Sequence, residues 1–282
     1  MSKQWVVVGA DGMLGQDLTA LLARRGEQVI GVDRDTVDIT RPEDCRSLAD
    51  ADVLVNCAAY TAVDAAEEDE AAAFAVNAVG AANVARACAD AGSRLVHIST
   101  DYVFDGAARH PYPENAPLAP RSAYGRTKAA GEWAVRAEAP EHLIVRTAFL
   151  YGAHGPCFPR TIARVVGERG GADVVADQFG QPTWTVDLAD LVHRLIAADA
   201  PSGTYHGTSS GEVSWYGFAQ AVAVSAGMTA EVIRPTTSDA FLRAATRPSY
   251  SVLGHDAVRS AGVEPIGPWD ERWAVAAPTV LG

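Results

Sequence analysis

In the first half of the chain, short runs of apolar, β-branched residues alternate with longer alanine-rich stretches of helical character. "WVVVGA" (5–10), "QVIGVD" (28–33), "DVLVNCAA" (52–59), "RLVHIST" (94–100) and "HLIVRT" (142–147) read as five strands. Between them the pattern predicts a helix from about Leu14 to Arg25, a long alanine-rich helix over roughly 68–91, and a helix through "SAYGRTKAAGEW" (122–133). Strands that are continuously apolar and separated by helices form a parallel sheet covered on both faces. The predicted fold is a doubly wound α/β sheet of the Rossmann kind.

Beyond residue 150 the alternation loosens. Gly and Pro collect at 152–159, 180–182 and 201–203, and helices predicted over 159–169, 187–198 and 214–226 mix with short strands. This divides the chain into a dinucleotide-binding domain, 1–150, and a smaller substrate-binding lobe, 151–282. A segment of about 187–207 is expected to return to the main sheet.

Composition removes some classes of partner. With 48% hydrophobic and 21% charged residues the 282-residue chain is ordinary for a globular protein, and its formal charge is −12. Nucleic acid and anionic membrane surfaces require basic faces, so neither is expected as a partner. Cys45, Cys57, Cys88 and Cys157 show no Cys-x-x-Cys spacing, which suggests reduced thiols rather than a disulfide framework or zinc site. The start of the chain leaves no room for a signal peptide, and no apolar run approaches the roughly 20 residues needed to span a bilayer. The expectation is a cytoplasmic protein.

The chemistry begins at Gly9-Ala-Asp-Gly12-Met-Leu-Gly15, between the first strand and the first helix. Gly9 permits a tight turn, Gly12 a close backbone approach to a pyrophosphate, and Gly15 close packing of helix on strand. The helix N-terminus then faces the phosphate charge. Asp33, at the end of the second strand, stands where a carboxylate accepts hydrogen bonds from the adenosine ribose. Arg34 can pair with a 2′-phosphate, which Asp33 would repel, or remain a solvated turn residue. NADPH and NADH both stay open, NADPH slightly favoured.

Tyr124 and Lys128, four apart on one helix, share a face. A phenol titrates near 10, and a neighbouring ammonium is expected to draw it toward the working range. Thr100 and Asp101 close the fourth strand, at the sheet edge where such folds bind ligands. Thr100 is expected to donate to a substrate oxygen. A hydroxyl, an activated phenol and a nicotinamide make a carbonyl/alcohol hydride-transfer site.

With these pieces in place the chain resembles the extended short-chain dehydrogenase/reductase family, through "GADGMLG", "NCAA" (56–59), Asn77, "STDYVFDG" and "YGRTK". Within it, "NCAAYTAVDAAEED" (56–69), "DQFGQPT" (177–183) and "RPSYSVL" (247–253) are similar to the dTDP-4-dehydrorhamnose reductase group, from Val6 to about Trp273. The resemblance implies that Gly12, Met13 and Leu14 line the pyrophosphate and that Asp33, Asp38 and Ile39 hold the adenosine end. It implies that Ala59, Tyr60, Thr61 and Ile98 border the nicotinamide half, partly through backbone. Thr100 and Asp101 would face the sugar, Tyr124 would donate the proton, and Lys128 would be its partner and a ligand of the nicotinamide ribose. Asn77 divides evenly between a catalytic role and a buried helix-pairing amide.

The implied reaction is reduction of the C4 ketone of a nucleotide-linked 4-keto-6-deoxyhexose, foremost dTDP-4-dehydro-L-rhamnose. A related deoxysugar ketoreductase, a dihydrostreptose-type synthase, and a non-catalytic subunit like the regulatory subunit of methionine adenosyltransferase are the alternatives. One departure bears on this choice. Where the family has tryptophan after "RTS", this chain reads "RTAFLYG", so Phe149 keeps an apolar face for the sugar without an indole N–H. Trp184, just after "GQPT", is the candidate to replace that donor. Some members bind magnesium at a homodimer interface through acidic side chains, but no spacing here names ligands, and no metal is assigned.

Overall fold

The structure, a computed structural model, describes residues 2–48 and 51–282. Its central sheet has six parallel strands: β1 (Gln4–Val8), β2 (Gln28–Val32), β3 (Val53–Asn56), β4 (Arg94–Thr100), β5 (His142–Thr147) and β6 (Gly203–His206). Their order is β6-β5-β4-β3-β1-β2. The chain turns one way from β1 to β2 and the other way from β3 onward, so a crevice opens at the carboxyl ends of β1 and β3. β4 and β5 fall where the pattern predicts. β1 and β3 stop at Val8 and Asn56, short of the predicted ends, because the residues that follow form the crevice loops.

The longer helices are α1 (Met13–Arg24), α2 (Glu70–Ala91), α3 (Ala123–Glu138), α4 (Phe158–Arg169), α5 (Thr185–Ala197), α6 (Trp215–Ser225) and α7 (Trp269–Leu281). Successive β1 residues point to opposite faces. Trp5 and Val7 join a core with Leu18 and Leu22 of α1 and Leu188 and Leu195 of α5, while Val6 and Val8 pack with Val84 of α2 and Val135 of α3. A third core, with Tyr151, Trp184, Phe218 and Trp273, belongs to the C-terminal lobe.

Two expectations change here. The single helix expected over 68–91 is a short turn (Ala65–Glu68) followed by α2, which widens to a π-helical stretch at Ala75–Gly80. Against the expectation that no run approaches membrane-spanning length, the 22 residues of α2 are apolar enough by length and composition to do so. In its most apolar 18-residue window 56% of the helix is buried within the fold, as a core helix would be.

Candidate active site

The cofactor end of the crevice is made of backbone. Gly9 adopts φ +80°, and a Cβ there would lie 2.8 Å from the amide nitrogen of Ala58, just past β3. A Cβ on Gly15 would meet the Gly9 carbonyl, so α1 presses on the turn itself rather than on the strand as expected. Gly12 begins α1 with no capping side chain and no acidic residue in the first turn. The first amide N–H groups are thus left for an anion. This cradle fits a dinucleotide pyrophosphate.

The side chains around it are mostly committed to the fold. Leu14 and Ile39 are core residues, Ile39 packed over Gly80, and Met13 leans toward the lobe beside Gly152. The Asp33 carboxylate accepts the amide of Asp11 at 2.9 Å and that of Arg34 at 2.7 Å, so it also holds the turn. Asp38 accepts both the amide and hydroxyl of Thr40, and these bonds hold its carboxyl below the usual carboxylate range. Arg34 is exposed, with no ion-pair partner among the described residues.

In the nicotinamide half, Asn77 clasps the loop that follows β3. Its Oδ1 accepts the Tyr60 amide at 2.8 Å, and its Nδ2 donates to the Tyr60 carbonyl at 3.1 Å and to the Thr127 hydroxyl at 3.0 Å. The π-helical stretch of α2 carries Asn77, and a Cβ at Gly131 of α3 would strike the Asn77 carbonyl. With both ends of its amide engaged, Asn77 acts as a loop-pairing residue. Ala59 and Tyr60 stay half-buried and Thr61 exposed.

Thr100, Asp101, Tyr124 and Lys128 gather at the end of β4. The Thr100 hydroxyl donates to Asp101 Oδ1 at 3.0 Å and accepts the Tyr102 amide at 3.2 Å. The same hydroxyl is hydrogen-bonded to the Tyr124 phenol and lowers it, so Thr100 links the carboxylate to the phenol. Lys128 is 2% exposed and donates to the Ile98 carbonyl at 2.7 Å. Burial lowers its ammonium to about 8, against the pull of Glu132.

The expected electrostatics of Tyr124 are reversed. Burial pushes its phenol up to about 12, with the Thr100 hydroxyl pulling back and Asp101 adding to the rise. Sequence spacing shows the neighbouring ammonium but not the loss of water, which dominates here. A phenol so placed is protonated at neutral pH and is a proton donor. Burial likewise raises Asp101 to about 6.

At the other end of the crevice the surface is made of side chains from both halves of the chain. Phe149 takes φ +46°, a left-handed conformation that a non-glycine residue holds at a cost of about 1–3 kcal/mol and that clusters at ligand sites. Its ring stacks on Trp215, centroids 3.6 Å apart and planes 10° apart, with its edge over Gly180. One face expected to be open to a hexose is therefore taken by Trp215. Trp184 does not join this group: it is 9% exposed within the lobe core.

Several residues at this end escape sequence reasoning. Arg247 grips Asp64 through both guanidinium nitrogens, and the amide of Ala245 adds a bond of 3.1 Å to the same carboxylate, joining lobe to sheet. Tyr102 meets Tyr124 edge-on at 5.6 Å. Beside them a cavity of about 340 Å³ is lined by Arg109, Arg121, Arg247 and Tyr250. Arg247 and Asp64 lie inside the quoted family runs, but Trp215 has no local signal at all. Among the described residues no cluster of His, Cys, Asp or Glu could hold a metal ion.

Known proteins share this arrangement of elements. Residues 3–279 match the family model described as the RmlD substrate binding domain. The chain is 48% identical to a dTDP-4-keto-6-deoxy-D-glucose reductase of Streptomyces niveus over 99% of its length and 98% of that protein's. It is 43% identical to the dTDP-4-dehydrorhamnose reductase of Mycobacterium tuberculosis (strain ATCC 25618 / H37Rv), covering 98% and 92%. The crystal structure of dTDP-4-dehydrorhamnose reductase from Bacillus anthracis in complex with NADP aligns with a TM-score of 0.94 at 36% identity, over 98% of this chain and 99% of that one.

Proposed function

The chain belongs to the dTDP-4-dehydrorhamnose reductase family, and from that premise we propose that it reduces the C4 ketone of a dTDP-linked 4-keto-6-deoxyhexose with NADPH, dTDP-4-dehydro-L-rhamnose foremost. The observation that carries this reading is the Tyr124 phenol, hydrogen-bonded to Thr100, with Lys128 one turn on, at the same sheet edge as the glycine cradle. The bound nicotinamide supplies the hydride. Tyr124 gives its proton to the oxygen of the former ketone, and the Thr100 hydroxyl, hydrogen-bonded to the phenol, keeps it aimed and eases formation of the phenolate. Lys128 holds a positive charge one helical turn from Tyr124, where it opposes loss of charge balance as the phenolate forms. Phe149 and Trp215 offer the sugar an aromatic wall, and the cavity with Arg109 and Arg121 offers cations to a diphosphate.

We assign the dinucleotide-binding domain to residues 1–150 and the mainly substrate-binding lobe to 151–282, with the 187–207 segment returning to the sheet and Thr100, Tyr124 and Phe149 reaching the sugar from the first domain. The four unpaired cysteines support a cytoplasmic setting. The test is turnover: NADPH oxidation over a panel of dTDP-4-keto-hexoses, with product configuration read by NMR. Absence of turnover on every member would sink the reading and return the regulatory-subunit alternative. Phe149 in place of the family's tryptophan favours a second reading, a sibling ketoreductase for another dTDP-4-keto-deoxysugar. A higher kcat/KM for such a sugar than for the rhamnose precursor would establish it.

A further inference from the structure

Behind the catalytic helix lies a buried ion pair that the proposed chemistry leaves unused. Glu132, on α3 one turn beyond Lys128, is 0% exposed, and Arg146 of β5 is 1% exposed. Arg146 meets Glu132 through two bonds of 2.8 Å, Ser99 of β4 donates to Glu132 Oε1 at 2.6 Å, and Arg136 adds a bond of 2.9 Å to Oε2. Ser99 lies between Ile98, whose carbonyl receives Lys128, and Thr100, which faces Tyr124. One carboxylate therefore holds the strand end on which both catalytic contacts depend.

We propose that Glu132 is a positioning residue for the reduction: through Ser99 and Arg146 it sets β4 against α3, and its buried negative charge keeps Lys128 an ammonium. At Lys128 that charge offsets the two guanidiniums, Arg136 and Arg146, that bind Glu132. Burial pushes the Cys57 thiol up to about 12, holds His97 of β4 well below its usual range, and brings His206 of β6 to about 3, so all three are neutral at neutral pH. Tyr124 is protonated, Asp101 is bonded to Thr100, and Arg136 and Arg146 are themselves held by Glu132. Burial works against the Glu132 carboxylate, but the bonds from Arg146 and Ser99 outweigh it and keep it ionised.

The proposal rests on the reductase reading, yet the chain permits a test independent of turnover. It contains only two lysines, Lys3 and Lys128. In protein labelled with carbon-13 at lysine Cε, an NMR titration therefore follows Lys128 directly. Glu132→Gln, which keeps shape and loses charge, is expected to lower the Lys128 midpoint by about one unit, a tenfold change in its equilibrium. The alkaline limb of kcat should move down with it. Glu132→Asp, which keeps charge but falls short of Ser99, is expected to leave the midpoint in place and lower kcat about tenfold, with KM for the sugar little changed. An unmoved Lys128 midpoint in Glu132→Gln overturns the electrostatic half, and wild-type kcat in Glu132→Asp overturns the positioning half. Should Glu132→Gln fail to fold, a reduced kcat with unchanged KM in Glu132→Asp still supports the positioning role, and wild-type kcat still defeats it. If the wild type reduces no keto sugar, the reductase reading has failed, while the titration continues to judge Glu132.

Discussion

At the cofactor end of the crevice the binding surface is peptide backbone, exposed because three glycines clear the way for it. At the end proposed for the sugar it is side chains, drawn from positions as far apart as Asp64 and Arg247, or Phe149 and Trp215. The first kind of surface recognises what all dinucleotides share, a pyrophosphate and two riboses, and tolerates little change. The second is adjustable residue by residue, which suits a family whose members differ in the sugar they accept.

The sharpest way to break this comparison is at the point where the two ends meet. Tyr124→Phe is expected to lower kcat by about 10²–10⁴ while leaving NADPH affinity and melting temperature near wild type. Retained turnover would remove the phenol from the mechanism. Next in size is Gly9→Ala, which forces a side chain into a positive φ against Ala58. At about 1–3 kcal/mol of strain it should weaken NADPH by roughly 10- to 100-fold in a fluorescence titration, with sugar affinity unaffected. A normal cofactor affinity would show that the turn can relax, and that backbone shape is not what the cofactor end depends on.

The border between the halves also has a pH signature. Asp101, raised to about 6 by burial, loses its charge below that pH, and the bond that Thr100 donates to it, which holds the hydroxyl beside Tyr124, is then weakened. In the wild type kcat/KM should fall about tenfold per unit on the acid side of pH 6, and Asp101→Asn should flatten that limb at a lower plateau. An identical limb in the variant would assign it to another group. At the sugar end, Trp215→Ala leaves the Phe149 ring without its stacked partner. A loss of about 0.5–1.5 kcal/mol predicts a several-fold rise in KM for the sugar nucleotide and none for NADPH. An equal rise for both would mean that Trp215 supports the whole lobe. The smallest effect is expected of Arg34→Ala: an exposed charge contributes about 0.2–1 kcal/mol, so NADPH should weaken at most about fivefold more than NADH. Equal weakening would make Arg34 a solvated turn residue.

What the sequence disclosed follows the same division. The strands β4 and β5 are legible to the residue because buried parallel strands are unbroken apolar runs, and the glycine turn is legible because its spacing is local. The Tyr124–Lys128 spacing is equally local, yet the direction of the phenol's shift is not, since it depends on burial by Tyr102 and by segments distant in sequence. Trp215 is one tryptophan among six, and nothing near it announces a partner at Phe149. The π-helical stretch in α2 was also hidden, because alanine-rich sequence reads as uniform helix. Its cause is tertiary, in the close approach of Gly131 and the clasp of Asn77 on Tyr60.

The outer strand β6 carries a consequence for biogenesis. It pairs with β5 along Leu143–Arg146, yet the chain between them builds much of the lobe before Gly203 is reached. During translation five strands can assemble while the free edge of β5 waits for its neighbour, on the order of seconds at about 5–20 residues per second. An open, apolar parallel edge is a template for pairing with other chains. The nascent protein therefore passes through an interval in which its sheet is correct but unfinished, and a truncation before residue 206 would make that interval permanent.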